Sequence, residues 1–72
     1  MFSTEIYCSR LRELRAEQNL SAQVVADRLS VPRSTFTHWE LGDREPPYAT
    51  LCAIADLYGV TTDYLLGRTD ER

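Results

Sequence analysis

SAQVVADRLSVPRSTFTHWE, residues 21–40, reads as two short helices broken once between them. Ser21 is placed to cap the first, because its side-chain oxygen can accept a backbone N–H that a helix start leaves without a partner. Val25, Ala26 and Leu29 then fall on one helical face, and Ala26 is small enough to let another helix approach closely. Ser30-Val31-Pro32 interrupts the pattern: proline disfavours helical geometry in the residue before it and suits the first turn of a new helix. The second helix should run from Pro32 or Arg33 to Glu40, with Phe36 and Trp39 as its core anchor. Two short helices joined by a turn of about four residues, the second opening with polar side chains, make the geometry that sets a recognition helix into the DNA major groove.

On either side of this stretch the same helical period continues. A first helix is expected to start after Ser3 or Thr4, with Tyr7, Leu11 and Leu14 on its inner face and Arg12, Glu13 and Glu17 on the other, ending near Asn19. The loop Leu41-Gly42-Asp43-Arg44-Glu45-Pro46-Pro47 is rich in helix-terminating residues. Beyond it, Tyr48 to Tyr58 should form a fourth helix that buries Leu51, Ile54 and Ala55, with Gly59 as its C-cap. A fifth, from Thr62 to Leu66, has Thr61 as N-cap and Gly67 just past its end. No strand-like alternation occurs, so the expected fold is all-α, with a core over about residues 4–67 and a frayed polar tail at 68–72.

Seventy-two residues support one domain and leave no room for a separate sensor or catalytic unit. No stretch is long enough to span a bilayer, and Glu5 and Arg10 interrupt any signal-peptide pattern, so the expected location is the cytoplasm, without membrane attachment. One histidine, two scattered cysteines and no Gly-rich phosphate loop assemble no catalytic set, metal site, cofactor site or small-molecule substrate site. Cys8 and Cys52 read as small buried hydrophobes. The eight basic residues, all arginine, stand against eleven acidic ones for a net charge of −3. That balance is unfavourable for phosphate binding, which relies on a positive field. The acidic excess is concentrated after residue 40, so the N-terminal half can still carry a local basic face.

The run LRELRAEQNLSAQVVADRLSVPRSTFTHWELGDREP (11–46), followed by LCAIADLYGVTTDYLLG (51–67), resembles the Cro/C1-type, XRE-like helix-turn-helix family of phage and bacterial repressors. The resemblance implies a compact five-helix bundle, the lambda-repressor-like DNA-binding fold, and sequence-specific binding of double-stranded DNA. It places Arg33, Ser34, Thr37 and His38 at base-contacting positions. The chemistry agrees, since Arg33 can fork onto guanine O6 and N7, and His38 shares a face with Ser34 one turn earlier. Ser21, Gln23, Thr35 and Arg44 would contact phosphates. Arg15 and Glu40 match an internal ion pair of the family. Tyr58, Tyr64, Leu65 and Leu66 form the candidate dimer contact, with core packing an equal account of Leu65 and Leu66, and a homodimer would read a near-palindromic operator.

Departures from the family pattern bear on affinity. Ala22 stands where a phosphate-holding glutamine is common, Ser30 replaces the frequent turn glycine, and Leu41 and Asp43 replace an amide and a cation in the following loop. Arg44 could equally pair with Asp43 or Glu45. Val24 and Leu41 could together mark a protein-contact surface. The expected function is therefore a DNA-binding transcriptional regulator, a repressor in sign, of lower affinity than a basic relative. The alternative is a protein-interaction module, antitoxin-like or regulator-binding, on the same fold.

Overall fold

Capping and apolar spacing divide the chain where the sequence suggests. In the computed structural model, which describes residues 4–72, the elements are α1 (Thr4–Glu17), α2 (Ala22–Leu29), α3 (Arg33–Leu41), α4 (Tyr48–Tyr58) and α5 (Thr62–Leu65). The first helix is described from Thr4, directly after Ser3, and Ser3 itself lies outside the described residues. Ser21 Oγ accepts from the Val24 N–H at 3.2 Å, and Thr61 Oγ1 from the Tyr64 N–H at 3.0 Å. Each such cap is worth about 1 kcal/mol.

The turn between α2 and α3 depends on Ser30, which adopts the left-handed conformation at φ 59°, ψ 40°. Its N–H and that of Val31 donate to Asp27 O and Ala26 O, at 3.1 and 3.0 Å, closing the end of α2. A side chain at this backbone position costs about 1 kcal/mol. The turn nevertheless forms, because α3 gains a packed underside against both α2 and α1.

That underside holds Phe36, Trp39 and Glu40, with the two rings edge to face at 6.3 Å and 78°. Around them lie Tyr7, Leu11 and Leu14 of α1, Val25 and Ala26 of α2, Ile54, Ala55 and Tyr58 of α4, and Tyr64 and Leu65 of α5. The result is an all-helical bundle, without strands among the described residues. Burying each large apolar side chain here contributes roughly 1.5–3 kcal/mol. Leu29 and Leu51, expected inside, are half-buried at its margin. Cys8 is buried, whereas Cys52 is exposed, contrary to expectation. It stands two residues before Ile54, about 200° round the helix, so the packing that buries Ile54 turns Cys52 outward.

Residues 68–72, expected as a frayed polar tail, are polar and largely exposed, and side chains of α1 reach them. Arg10 of α1 donates to the Tyr64 carbonyl, to Thr69 O at 2.7 Å and to Asp70 Oδ1 at 2.7 Å, and stacks 4.0 Å over the Tyr64 ring. Arg72 pairs with Glu17 at the far end of α1. One planar guanidinium thus satisfies a carbonyl at the end of α5 and fixes the chain that follows. Nothing local marks these contacts in the sequence, since Arg10 and Asp70 lie 60 residues apart.

Candidate nucleic-acid interface

Nine residues of α3 cannot all face inward, and burying Phe36, Trp39 and Glu40 fixes which face is left. Arg33, Ser34, Thr37 and His38, spaced three and four apart, share the outer face; the first two are exposed and the others partly so. Leu41, one turn further on, keeps 68 % of its surface. Thr35 lies partly buried at the flank, and Ser21 and Gln23 sit exposed at the start of α2. Arg44 is exposed in the loop after α3.

The hydrogen bonds of these groups limit what each can offer. Ser21 Oγ is used as an acceptor by the cap, which leaves its proton available to an anion. The Gln23 amide donates to Asp27 Oδ1 at 2.8 Å, so it already has a partner on its own helix. Thr37 Oγ1 donates to the Arg33 carbonyl at 2.9 Å and keeps only lone pairs to present outward. His38 Nδ1 lies 2.9 Å from both carboxylate oxygens of Asp43.

Two arginines of α1 hold α3 from beneath. Arg15 donates from Nε and Nη2 to the two carboxylate oxygens of Glu40, at 2.8 and 3.1 Å, and from Nη1 to Leu20 O at 3.2 Å. The hydrogen bond to Glu40 holds the Arg15 guanidinium further toward its charged form. Arg12, exposed on the solvated face of α1 as expected, also donates to the Glu40 carbonyl at 2.6 Å and satisfies an open C=O near the end of α3.

The net charge misrepresents this surface. Arg10, Arg12, Arg15, Arg68 and Arg72 are all committed to internal partners. Arg28, Arg33 and Arg44 are exposed and make no ion pair among the described residues, so the loop acids do not hold Arg44. All three lie between Arg28 and Arg44, the segment that builds the turn, α3 and its exit loop. In the same segment Glu40 is neutralised by Arg15, and Asp43 is engaged by His38. Arg28 was not singled out in the sequence. Only its lack of a side-chain hydrogen bond or ion pair among the described residues, a tertiary fact, sets it with Arg33 and Arg44 and apart from the other five arginines.

The candidate dimer residues require correction. Tyr58, Tyr64 and Leu65 retain 5 %, 6 % and 0 % of their surface, because a core this small needs them to close the end formed by α4 and α5. They have almost nothing to offer a second copy. Leu66 alone keeps part of its surface, beside a shallow groove shared with Pro46, Tyr48 and Leu51. No described helix is long and apolar enough to cross a membrane.

Comparison with known proteins agrees with this geometry. A model of the helix-turn-helix domain family matches residues 9–66. The HTH-type transcriptional regulator YobD of Bacillus subtilis is 36 % identical over 66 residues, which cover 92 % of this chain and 59 % of that protein. For the HTH-type transcriptional regulator AnsR of the same organism the values are 43 % over 63 residues, 88 % and 54 %. For the cryptic phage CTXphi transcriptional repressor RstR of Vibrio cholerae they are 33 % over 55 residues, 76 % and 50 %. The chain thus spans a little over half the length of these two Bacillus subtilis regulators. With its capped α2, left-handed turn and α3 anchored by Phe36, Trp39 and Glu40, the chain belongs to the helix-turn-helix domain family, of the XRE-like type found in phage and bacterial regulators.

Proposed function

We propose that this chain is the DNA-binding part of a transcriptional regulator that inserts α3 into the major groove of a near-palindromic operator and represses. The observation that carries this reading is the outer face of α3, polar and capable of hydrogen bonding, flanked by the uncommitted Arg28, Arg33 and Arg44. Arg33 would fork onto a guanine, and Ser34, Thr37 and His38 would meet neighbouring base edges. The Ser21 hydroxyl, Gln23, Thr35 and Arg44 would hold phosphates and fix the register. The family membership supports DNA as the partner, and repression is the sign named for one relative, while another is named an activator. One copy is 28 Å in its longest dimension, shorter than the roughly 34 Å between half-sites, so reading a palindrome requires a homodimer, at least on DNA. We place the regulator in the cytoplasm, on the nucleoid when bound.

A protein-interaction role rests on a different observation, the exposure of Leu41 and Val24 beside the polar face. One experiment separates the two. The protein is used to select from random duplex DNA at low salt, in parallel with an Arg33→Ala/His38→Ala double variant, and the selected duplex is titrated with salt. The DNA reading expects a near-palindromic motif that the double variant fails to enrich. Affinity should fall steeply with salt, and Arg44→Ala should lower the log–log slope by about 1. Absence of any motif from a folded protein would overturn the reading in favour of a protein partner.

A further inference from the structure

The acid in the loop after α3 looks like a defect for DNA binding, yet its position suggests a task. Gly42 ends α3 in the left-handed conformation, φ 88° and ψ 8°, and its N–H donates to the His38 carbonyl at 2.9 Å. A side chain is excluded there twice over, by the backbone angle and by Cys8 Sγ, 2.6 Å from where a Cβ would stand. The turn carries Asp43 back beside His38, with Nδ1 at 2.9 Å from each carboxylate oxygen.

We propose that Asp43 is a positioning residue for base recognition, holding His38 so that its Nε2 presents a lone pair to the DNA and selects a base with an outward N–H. This rests on the DNA-binding reading above. An ionised carboxylate only accepts hydrogen bonds, so the ring nitrogen facing it carries the proton. In a neutral imidazole the other nitrogen is then bare. Nε2 lies across the ring from Nδ1, and the His38 side chain keeps 41 % of its surface on the face shared with Arg33, Ser34 and Thr37. In the major groove the base-edge donors are adenine N6 and cytosine N4, whereas guanine and thymine present only acceptors at the corresponding positions. His38 held in this way favours adenine or cytosine at one position of each half-site. Without Asp43 the ring takes either tautomer and can donate as readily as accept.

The test compares base preferences at every half-site position for the wild type, Asp43→Ala, Asp43→Asn and His38→Ala at pH 8, above the ordinary imidazole range. In the wild type one position should prefer adenine or cytosine about fivefold, the discrimination of a single hydrogen bond. His38→Ala and Asp43→Ala should both lose that preference at that position. Asp43→Asn should weaken it, because its amide can donate to a bare Nδ1 as readily as accept from Nδ1–H, and so no longer fixes which nitrogen faces the DNA. Both Asp43 variants lose one negative charge near the phosphates, so both should bind all sequences more tightly, which separates the charge effect from the orientation of the ring. An unchanged profile for Asp43→Ala, in a protein whose preference His38→Ala abolishes, overturns this inference alone. A wild-type protein that selects no motif overturns it together with the DNA-binding reading.

Discussion

Arg15→Ala removes the tie between α1 and the recognition helix, and its cost can be worked from the geometry. The Glu40 side chain retains 8 % of its surface, so water cannot take over the two hydrogen bonds that Arg15 supplies, and Leu20 O loses a third. Leaving one member of a buried pair without its partner costs about 3–5 kcal/mol. Arg15 itself is 27 % exposed, which lets some water in and sets the expectation at the low end, about 3 kcal/mol. A chain of 72 residues has a total stability of only about 0.05–0.15 kcal/mol per residue, so this is a large share of the whole. At roughly 4–8 °C per kcal/mol the melting midpoint should fall by about 12–24 °C. Urea unfolding followed by Trp39 fluorescence measures this against two controls. Arg12→Ala, which removes one bond to the Glu40 carbonyl, should cost about 1 kcal/mol. Arg28→Ala, at an exposed and unpaired site, should stay within about 0.5 kcal/mol. A joint replacement, Arg15→Met with Glu40→Leu, should recover most of the loss, because a well-packed apolar pair avoids burying charge at all. If Arg15→Ala and Arg28→Ala unfold at the same urea concentration, the ion pair does not anchor α3 and the reasoning fails.

Two further predictions concern the frame of the site. Gly42→Ala should destabilise by about 2–4 kcal/mol, combining left-handed strain with the clash against Cys8, whereas Gly59→Ala, with no atom within 4 Å of the added Cβ, should cost only about 1–2 kcal/mol; equal denaturation midpoints would rule out the clash. Burial pushes the Tyr58 hydroxyl up from the ordinary tyrosine value to about 12, and that hydroxyl has no hydrogen-bond partner among the described residues. A raised folded-state value means that the unfolded chain gives up this proton first, so stability should be intact below pH 10 and fall between pH 10 and about 12. Tyr58→Phe should be as stable as the wild type or more so at pH 7, and should flatten the decline in an alkaline melting series. An unaltered decline would assign the effect elsewhere.

Much of the recognition unit could be read from residues 21–40 because its determinants are local. Ser21 as a cap, Pro32 as a helix opener, and Phe36 and Trp39 as an inward pair depend only on helix geometry within a turn or two. The outer face of α3 follows from that same periodicity. What failed or was missed involves partners distant in sequence. The dimer residues Tyr58, Tyr64 and Leu65 looked like a spare apolar patch until α4 and α5 closed over the core. The contacts of Arg10 with Thr69 and Asp70 join residues about 60 positions apart and leave no local mark in the sequence.

The arginines show where the division lies. Sequence alone determined that the chain is helical, where its helices begin and end, and which residues of α3 turn outward, because backbone hydrogen bonding and a 3.6-residue period are set by near neighbours. It could not determine which charges are spent. Only the tertiary structure decided that Arg10, Arg12, Arg15, Arg68 and Arg72 are consumed internally, leaving Arg28, Arg33 and Arg44 to face outward, and that Asp43 lies against His38. The physical reason is that a guanidinium or a carboxylate acquires its role from whatever lies within about 3 Å of it in space, and chain order does not record that distance.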